Sequence, residues 1–256
     1  MTWGTDLRQK LGQHFLVKGK ALNRIAQAAC GEHTPFVVEI GPGRGALTEK
    51  LLERADRVAA IELDAELAEH IRTQWPAVEL VEANALDADW SQWGAGVLTG
   101  NLPYYIATPL ISRYLRRPGL LSSAVFLIQK EVAERITAKP GTREYGYFSV
   151  ECQFLARTEY LFTVPPGAFR PPPKVDSAVI RLTPNQVVDT AFLAFVSICF
   201  RQKRKTLKNN LREAYDPAPD ISRRAEELTV DEFADLYRTL GPPHGSTEPR
   251  PRGSGL

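Results

Sequence analysis

Long apolar runs are missing from this sequence: nowhere in its 256 residues does one approach the ~20 needed to span a bilayer. A chain threaded through a membrane on helices is thereby excluded. The amino terminus, MTWGTDLRQKLGQHF, has no apolar core of the kind a secretory signal carries. Cysteine is scarce. Cys30, Cys152 and Cys199 stand far apart, odd in number and without a CxxC pair, the pattern of buried reduced thiols and not of a disulfide frame or zinc site. The four histidines show no HExxH or similar ligand spacing, so no metal is expected. Net charge is small as well, at +2, and by itself does not point to nucleic acid. Together these features favour the cytoplasm.

What is present has more shape. The hydrophobic fraction of 43% is ordinary for a globular protein, and the length suits one large α/β domain with a small appendage. The first half alternates short apolar runs with amphipathic stretches, the signature of βα units and a mostly parallel sheet. Strands are predicted at Phe36–Ile40, Val58–Leu63, Val78–Val81, Gly96–Thr99 and Ala124–Ile128. Helices are predicted after Gly45 and from Ala65 to Trp75. Two more strands are expected around Phe148–Leu155 and Ser177–Leu182, joined by the proline-rich connection VPPGAFRPPPKVD. From about Asp189 to Leu240 only helical patterns remain. The expected division is therefore a domain over 1–185, a small helical domain over 186–241, and a Pro/Gly/Ser-rich disordered tail over 242–256.

Three segments carry chemistry. Glu39-Ile40-Gly41-Pro42-Gly43-Arg44-Gly45-Ala46 sets a glycine turn between a strand and a helix, where a ligand can lie against bare backbone. Glu62 ends the next strand, placed to accept hydrogen bonds from both hydroxyls of a ribose. A dinucleotide fits this loop too, because Gly41-x-Gly43-x-x-Ala46 satisfies its fingerprint. Glu39 tilts the choice to S-adenosylmethionine: a carboxylate there repels a pyrophosphate but accepts from the amino group of a methionine moiety. Asn84, after the third strand, can read the cofactor's adenine amine, with Asp87 as a competitor.

Gly100-Asn101-Leu102-Pro103-Tyr104-Tyr105 follows the fourth strand and decides the reaction. An adenine amine is a poor nucleophile because its lone pair is delocalised into the ring. The Asn101 side-chain oxygen and the Pro103 carbonyl can accept its two hydrogens and aim the lone pair at a methyl donor. Tyr104 can stack on the base, a contact worth about 1–3 kcal/mol. Hydride transfer has no use for this set, so the dinucleotide reading falls here. A third segment, CFRQKRKTLKNNLR at Cys199–Arg212, is basic with no acid among its residues. Placed on one helix at about 100° per residue, Val196, Phe200, Leu207 and Leu211 form an apolar face. Arg201, Lys205, Lys208 and Arg212 then form a basic face that suits RNA phosphates.

These residues resemble the KsgA (RsmA) family, the ribosomal RNA adenine N6,N6-dimethyltransferases of the small subunit. The resemblance runs nearly the whole chain. It includes Leu11 to Leu16, the glycine loop, Ile61 to Asp64, Asn101 to Tyr104, Gln129 to Val132, Tyr145-Gly146, Pro171 to Ser177, and Phe200 to Leu211. It implies a Rossmann-like class I methyltransferase domain with a small all-helical domain, acting as a monomer. It implies dimethylation of two adjacent adenosines of the 16S RNA and a role in ribosome biogenesis. It implies cofactor contacts at His14, Leu16, Gly41, Glu62, Asn84 and Asn101, and Phe169 as the second aromatic face of the base slot. His14 stands where the family often has Asn, Asn84 where Asp is common, and Tyr105 where Asn is frequent. Two alternatives stay open. One is the related erythromycin-resistance methyltransferases of large-subunit RNA, which the Leu of Asn-Leu-Pro-Tyr and the Pro171 to Ser177 stretch disfavour. The other is a non-catalytic assembly or transcription factor on the same fold.

Overall fold

The computed structural model describes residues 14–93, 96–117, 121–185, 188–215 and 219–243. Leu11, Gly12 and Gln13 of the amino-terminal motif lie outside them, as does the expected disordered tail beyond 243.

The chain divides into two compact units, one of residues 1–137 and 152–188, the other of 138–151 and 189–256. The first holds a seven-stranded sheet. Its strands are β2 (Thr34–Ile40), β3 (Ala55–Glu62), β4 (Glu79–Glu82), β5 (Val97–Asn101), β6 (Ser123–Gln129), β7 (Ala156–Val164) and β9 (Ser177–Pro184), in the order β4-β3-β2-β5-β6-β9-β7. The five strands from β4 to β6 are parallel, and β9 alone is reversed, running antiparallel to both of its neighbours, β6 and β7. A separate two-stranded sheet pairs β1 (Phe15–Leu16) with β8 (Phe169–Arg170). The parallel strands read as near-continuous apolar runs because helices cover both faces; Phe36 to Ile40 and Val58 to Glu62 are buried without a break.

The helices follow from spacing and caps. In α1 (Gly19–Cys30) the buried residues are Leu22, Ile25, Ala26, Ala29 and Cys30, the i, i+3, i+4, i+7 pattern of one face. In α3 (Ala65–Gln74) the Asp64 side chain caps the start by accepting from the Glu66 and Leu67 amides. Pro76 follows close on its end. Two shorter helices lead from the site segments: α2 (Ala46–Leu52) from the glycine loop and α4 (Ala107–Leu115) from the segment around Asn101. A further helix, α5 (Lys130–Ile136), follows β6 directly.

One expected strand is a helix. Phe148–Leu155 lies within α6 (Tyr147–Leu155), and the missing strand is β7, which starts where that helix stops. Phe148, Val150 and Cys152 alternate with polar residues, which mimics a strand. The structure nevertheless buries all five positions from Phe148 to Cys152. A segment buried on consecutive positions has no outside face, and alternation then carries no information.

In the second unit the packing is aromatic. Phe195 lies between Tyr215 and Tyr237, and Phe200 between Tyr145 and Phe233. Residues 138–151, expected to belong with the large domain, enter this unit; the buried Tyr145 hydroxyl donates to the Leu228 carbonyl at 2.8 Å. The last helix, α9 (Val230–Leu240), opens on a capping box of Thr229 and Glu232. The single amphipathic helix expected through the basic run does not form. α7 (Thr190–Cys199) ends, a turn follows, and α8 (Leu207–Leu211) begins anew after an extended Thr206. Asn210 holds the break: its amide donates to the Cys199 carbonyl at 2.8 Å and its oxygen accepts from the Gln202 amide. Burial still separates the two sets, with Val196, Leu207 and Leu211 inside and the basic residues exposed.

Candidate active site

Strand order reverses between β2 and β5, because the chain winds outward through β3 and β4 on one side and β6 on the other. A crevice opens outside the carboxyl ends of strands at such a point. Here the two backbones nearly touch, since a Cβ on Gly100 would lie 2.4 Å from the Ile40 carbonyl oxygen. Gly41, at φ 67°, turns the chain out of β2 and would present a side chain to open space. Its amide is pinned to the Ile61 carbonyl at 2.9 Å.

A cavity of about 410 Å³ occupies the crevice. Separate segments meet around it: His14 and Leu16, the loop with Glu39, Gly41 and Gly43, Glu62 at the end of β3, Asn101, Pro103 and Tyr104 after β5, and Arg170 with Pro171. Glu62 is buried, and its carboxylate is gripped by three backbone amides. One oxygen accepts from Gly43 at 3.1 Å, the other from Leu63 at 2.8 Å and Asp64 at 3.0 Å. Burial raises its pKa against the pull of those amides.

Asn101 is oriented from behind. Its amide nitrogen donates to the His14 carbonyl at 2.9 Å. A carbonyl only accepts, so the nitrogen must face it, and the side-chain oxygen remains to receive a ligand hydrogen. The His14 ring is itself fixed, its Nδ1–H donating to the Pro171 carbonyl at 2.9 Å. Tyr104 is half-buried, with its ring 5.8 Å from that of His14 and its hydroxyl 3.0 Å from that of Ser177. The Pro103 carbonyl accepts from the Ile106 amide at 3.0 Å and keeps a second lone pair.

Other candidates are not among the residues that line the cavity. Asn84 and Asp87 hold each other, the Asn84 amide donating to the Asp87 carboxylate at 2.7 Å while its oxygen accepts from the Leu86 amide. The Phe169 ring is fully buried in the core, and only its successors Arg170 and Pro171 reach the cavity wall. Arg201, Lys205, Lys208 and Arg212 lie in the second unit, exposed. Acids absent from the run itself arrive by folding: Glu213 pairs with Arg201 and Asp220 with Lys208.

Sequence reasoning missed several residues. Phe15 lines the cavity, with the Arg44 guanidinium 5.0 Å over its ring. Arg113 of α4 donates to the carbonyls of Leu86 and Ala88 and lies 5.1 Å over Trp90, so it holds the Asn84 loop. Contacts spanning 25 residues or more leave no local signal. Thr48 is buried and donates to Glu39 at 2.6 Å.

Glu39 lines the cavity yet is 1% exposed, and burial, reinforced by the nearby Glu62, pushes its pKa up to about 8 against the Thr48 bond. The free protein thus holds a proton at neutral pH that the unfolded chain releases above its ordinary value of 4.5. Stability from this group is complete below that value and lost as pH rises toward 8. Melting scans should show the wild type falling by several degrees relative to Glu39→Gln between pH 5 and pH 8. Parallel curves for the two proteins would mean that Glu39 is ionised in the fold.

Residues 4–237 match the family described as Ribosomal RNA adenine dimethylase. The chain is 43% identical over 257 residues to a Ribosomal RNA small subunit methyltransferase A from Acidobacterium capsulatum, covering 91% of each. It is 40% identical over 247 residues to the protein of that name from Prosthecochloris aestuarii, covering 92% of this chain and 95% of the relative. Among solved structures, a dimethyladenosine transferase from Plasmodium falciparum superposes with a TM-score of 0.79 at 26% identity, over 90% of this chain and 99% of that one. The 23S rRNA methyltransferase ErmE superposes at 0.72 and 26%, over 88% and 99%. With a match over so much of its length, and with the crevice just described at the reversal of its sheet, the chain belongs to the ribosomal RNA adenine dimethylase family.

Proposed function

We propose that this protein dimethylates the N6 amine of adenosines in small-subunit ribosomal RNA with S-adenosylmethionine as donor, and that the crevice between β2 and β5 is where it does so. The observation that carries the assignment of the site is the orientation of Asn101 by the His14 carbonyl, which presents an acceptor oxygen beside Tyr104. The cavity's chemistry fits the donor. Glu62 offers a buried acceptor that suits hydroxyls and disfavours a pyrophosphate, Glu39 would release its proton on meeting a cationic centre, and the open side of Gly41 leaves room against bare backbone. Glu62 would accept from the ribose hydroxyls, Glu39 would meet the ammonium end, and His14, Leu16, Gly41 and Gly43 would wall it. Asn84 would read the adenine once its bond to Asp87 is exchanged.

When bound, S-adenosylmethionine supplies an electrophilic methyl on sulfur. The chain's residues do the rest by placement. Asn101 and the Pro103 carbonyl accept the two hydrogens of the adenine amine and direct its lone pair, and Tyr104 stacks on the base. The proton leaves after the nitrogen has become cationic, so no strong base is required. Phe169 closes the second face of the slot if the segment 169–171 rearranges when RNA binds, since its ring is in the core of the free protein. Arg201, Lys205, Lys208 and Arg212 dock the RNA through phosphates; the exposed ion pairs of Arg201 and Lys208 are weak enough for phosphates to displace. On this reading the protein works as a cytoplasmic monomer; no described helix is long and apolar enough to cross a membrane.

The test is transfer of labelled methyl groups to undermethylated ribosomal subunits. Labelled dimethyladenosine is expected in small subunits alone. Label in large subunits alone would move the chain to the erythromycin-resistance type of activity, and label in neither would favour a non-catalytic assembly factor.

A further inference from the structure

We infer that Ser177 is a positioning residue for the methylation reaction, which holds the Tyr104 ring in the plane that receives the target base. The inference rests on the stacking role proposed for Tyr104.

The two hydroxyls lie 3.0 Å apart although 73 residues separate them. Ser177 is the first residue of β9 and has no exposed surface. Its backbone is in register with Gln129 of β6 on one side and Val164 of β7 on the other, so both flanks are fixed. Tyr104 has no such frame. It sits on the loop between β5 and α4, with a half-exposed ring touching the smaller ring of His14 along one side. The bond to Ser177 ties the free end of that ring to the rigid part of the sheet.

A buried hydroxyl in a sheet costs free energy unless it is bonded, and a strand residue there could equally have been alanine or valine. What the oxygen of Ser177 reaches is the Tyr104 hydroxyl. Burial raises the Tyr104 pKa above that of an ordinary phenol, so the hydroxyl keeps its proton at neutral pH and can hold the bond. A ring already set in its stacking plane surrenders less motion when the base arrives, and that saving appears in the reacting complex.

Ser177→Ala, Tyr104→Phe and the double variant are compared for kcat and for the KM of the methyl donor, with melting scans alongside. Each single variant should lower kcat by about fivefold, the scale of one net hydrogen bond. The double variant should be no slower than either single one, and the KM of the donor should not move. Losses that multiply in the double variant, or wild-type kcat in either single variant, overturn the inference. Tyr104→Phe breaks the same bond from the half-exposed side, so it decides the matter even if Ser177→Ala folds poorly. Tyr104→Ala separates the two readings. If it loses activity while Tyr104→Phe keeps it, stacking stands and the role of Ser177 is lost. If Tyr104→Ala retains kcat, stacking itself fails and this inference with it.

Discussion

Asn101→Ala is expected to slow methylation by about 10²–10³-fold at saturating donor and RNA, the usual cost of deleting one preorganised polar group that meets developing charge. The amine of adenine gives up conjugation as its nitrogen attacks, and its two hydrogens become more acidic as positive charge grows. An acceptor held in place strengthens its bond to them in the transition state and not before, which lowers the barrier instead of merely tightening binding. The His14 carbonyl keeps the oxygen of Asn101 turned to that task. Asn101→Asp is an informative companion, because it retains an acceptor but loses the donor that holds the side chain, and should fall between wild type and alanine. Single-turnover rates with unchanged melting curves are the measurement. Near-normal turnover in Asn101→Ala would remove Asn101 from the reaction.

Glu62→Ala is expected to weaken S-adenosylmethionine binding by about 10²-fold or more, since two hydrogen bonds to a charged acceptor are lost at roughly 1.5–3 kcal/mol each. RNA affinity should stay as it was. The alanine variant also strands the amides of Gly43, Leu63 and Asp64, so it should melt lower. Glu62→Gln retains acceptor capacity for some of those amides and separates a binding loss from a folding loss. Calorimetry showing unchanged donor affinity in both variants would reject the role. Tighter binding of a nicotinamide dinucleotide than of S-adenosylmethionine would revive the rival cofactor.

The parts of the site that were legible in the sequence are those whose chemistry sits in one short segment. The turn at Gly41 to Gly45, the acid one strand later and Asn101 to Tyr104 each follow an apolar run, and in a parallel sheet such runs end on the same edge. Elsewhere the sequence misled in understandable ways. Phe148, Val150 and Cys152 alternate, but the segment is buried on consecutive positions and folds as a helix. The basic run obeys helical spacing on paper, yet Asn210 bonds back across its middle and breaks it. The place of Phe169 is a separate matter: resemblance puts it in the slot, its ring is in the core of the free protein, and the proposed role rests on a rearrangement of segment 169–171.

By itself, then, the sequence determined the class of fold, the order of the strands that end in functional groups, and the kind of reaction those groups can perform. These depend on local periodicity and on side-chain types at fixed spacing. Tertiary structure alone decided how the groups are tuned. It turned the amide of Asn101 with a carbonyl 87 residues away, tied Tyr104 to a serine 73 residues on, and set Glu39 where burial keeps a carboxyl protonated. Orientation and desolvation come from atoms brought together across the chain, and no pattern along the chain records them.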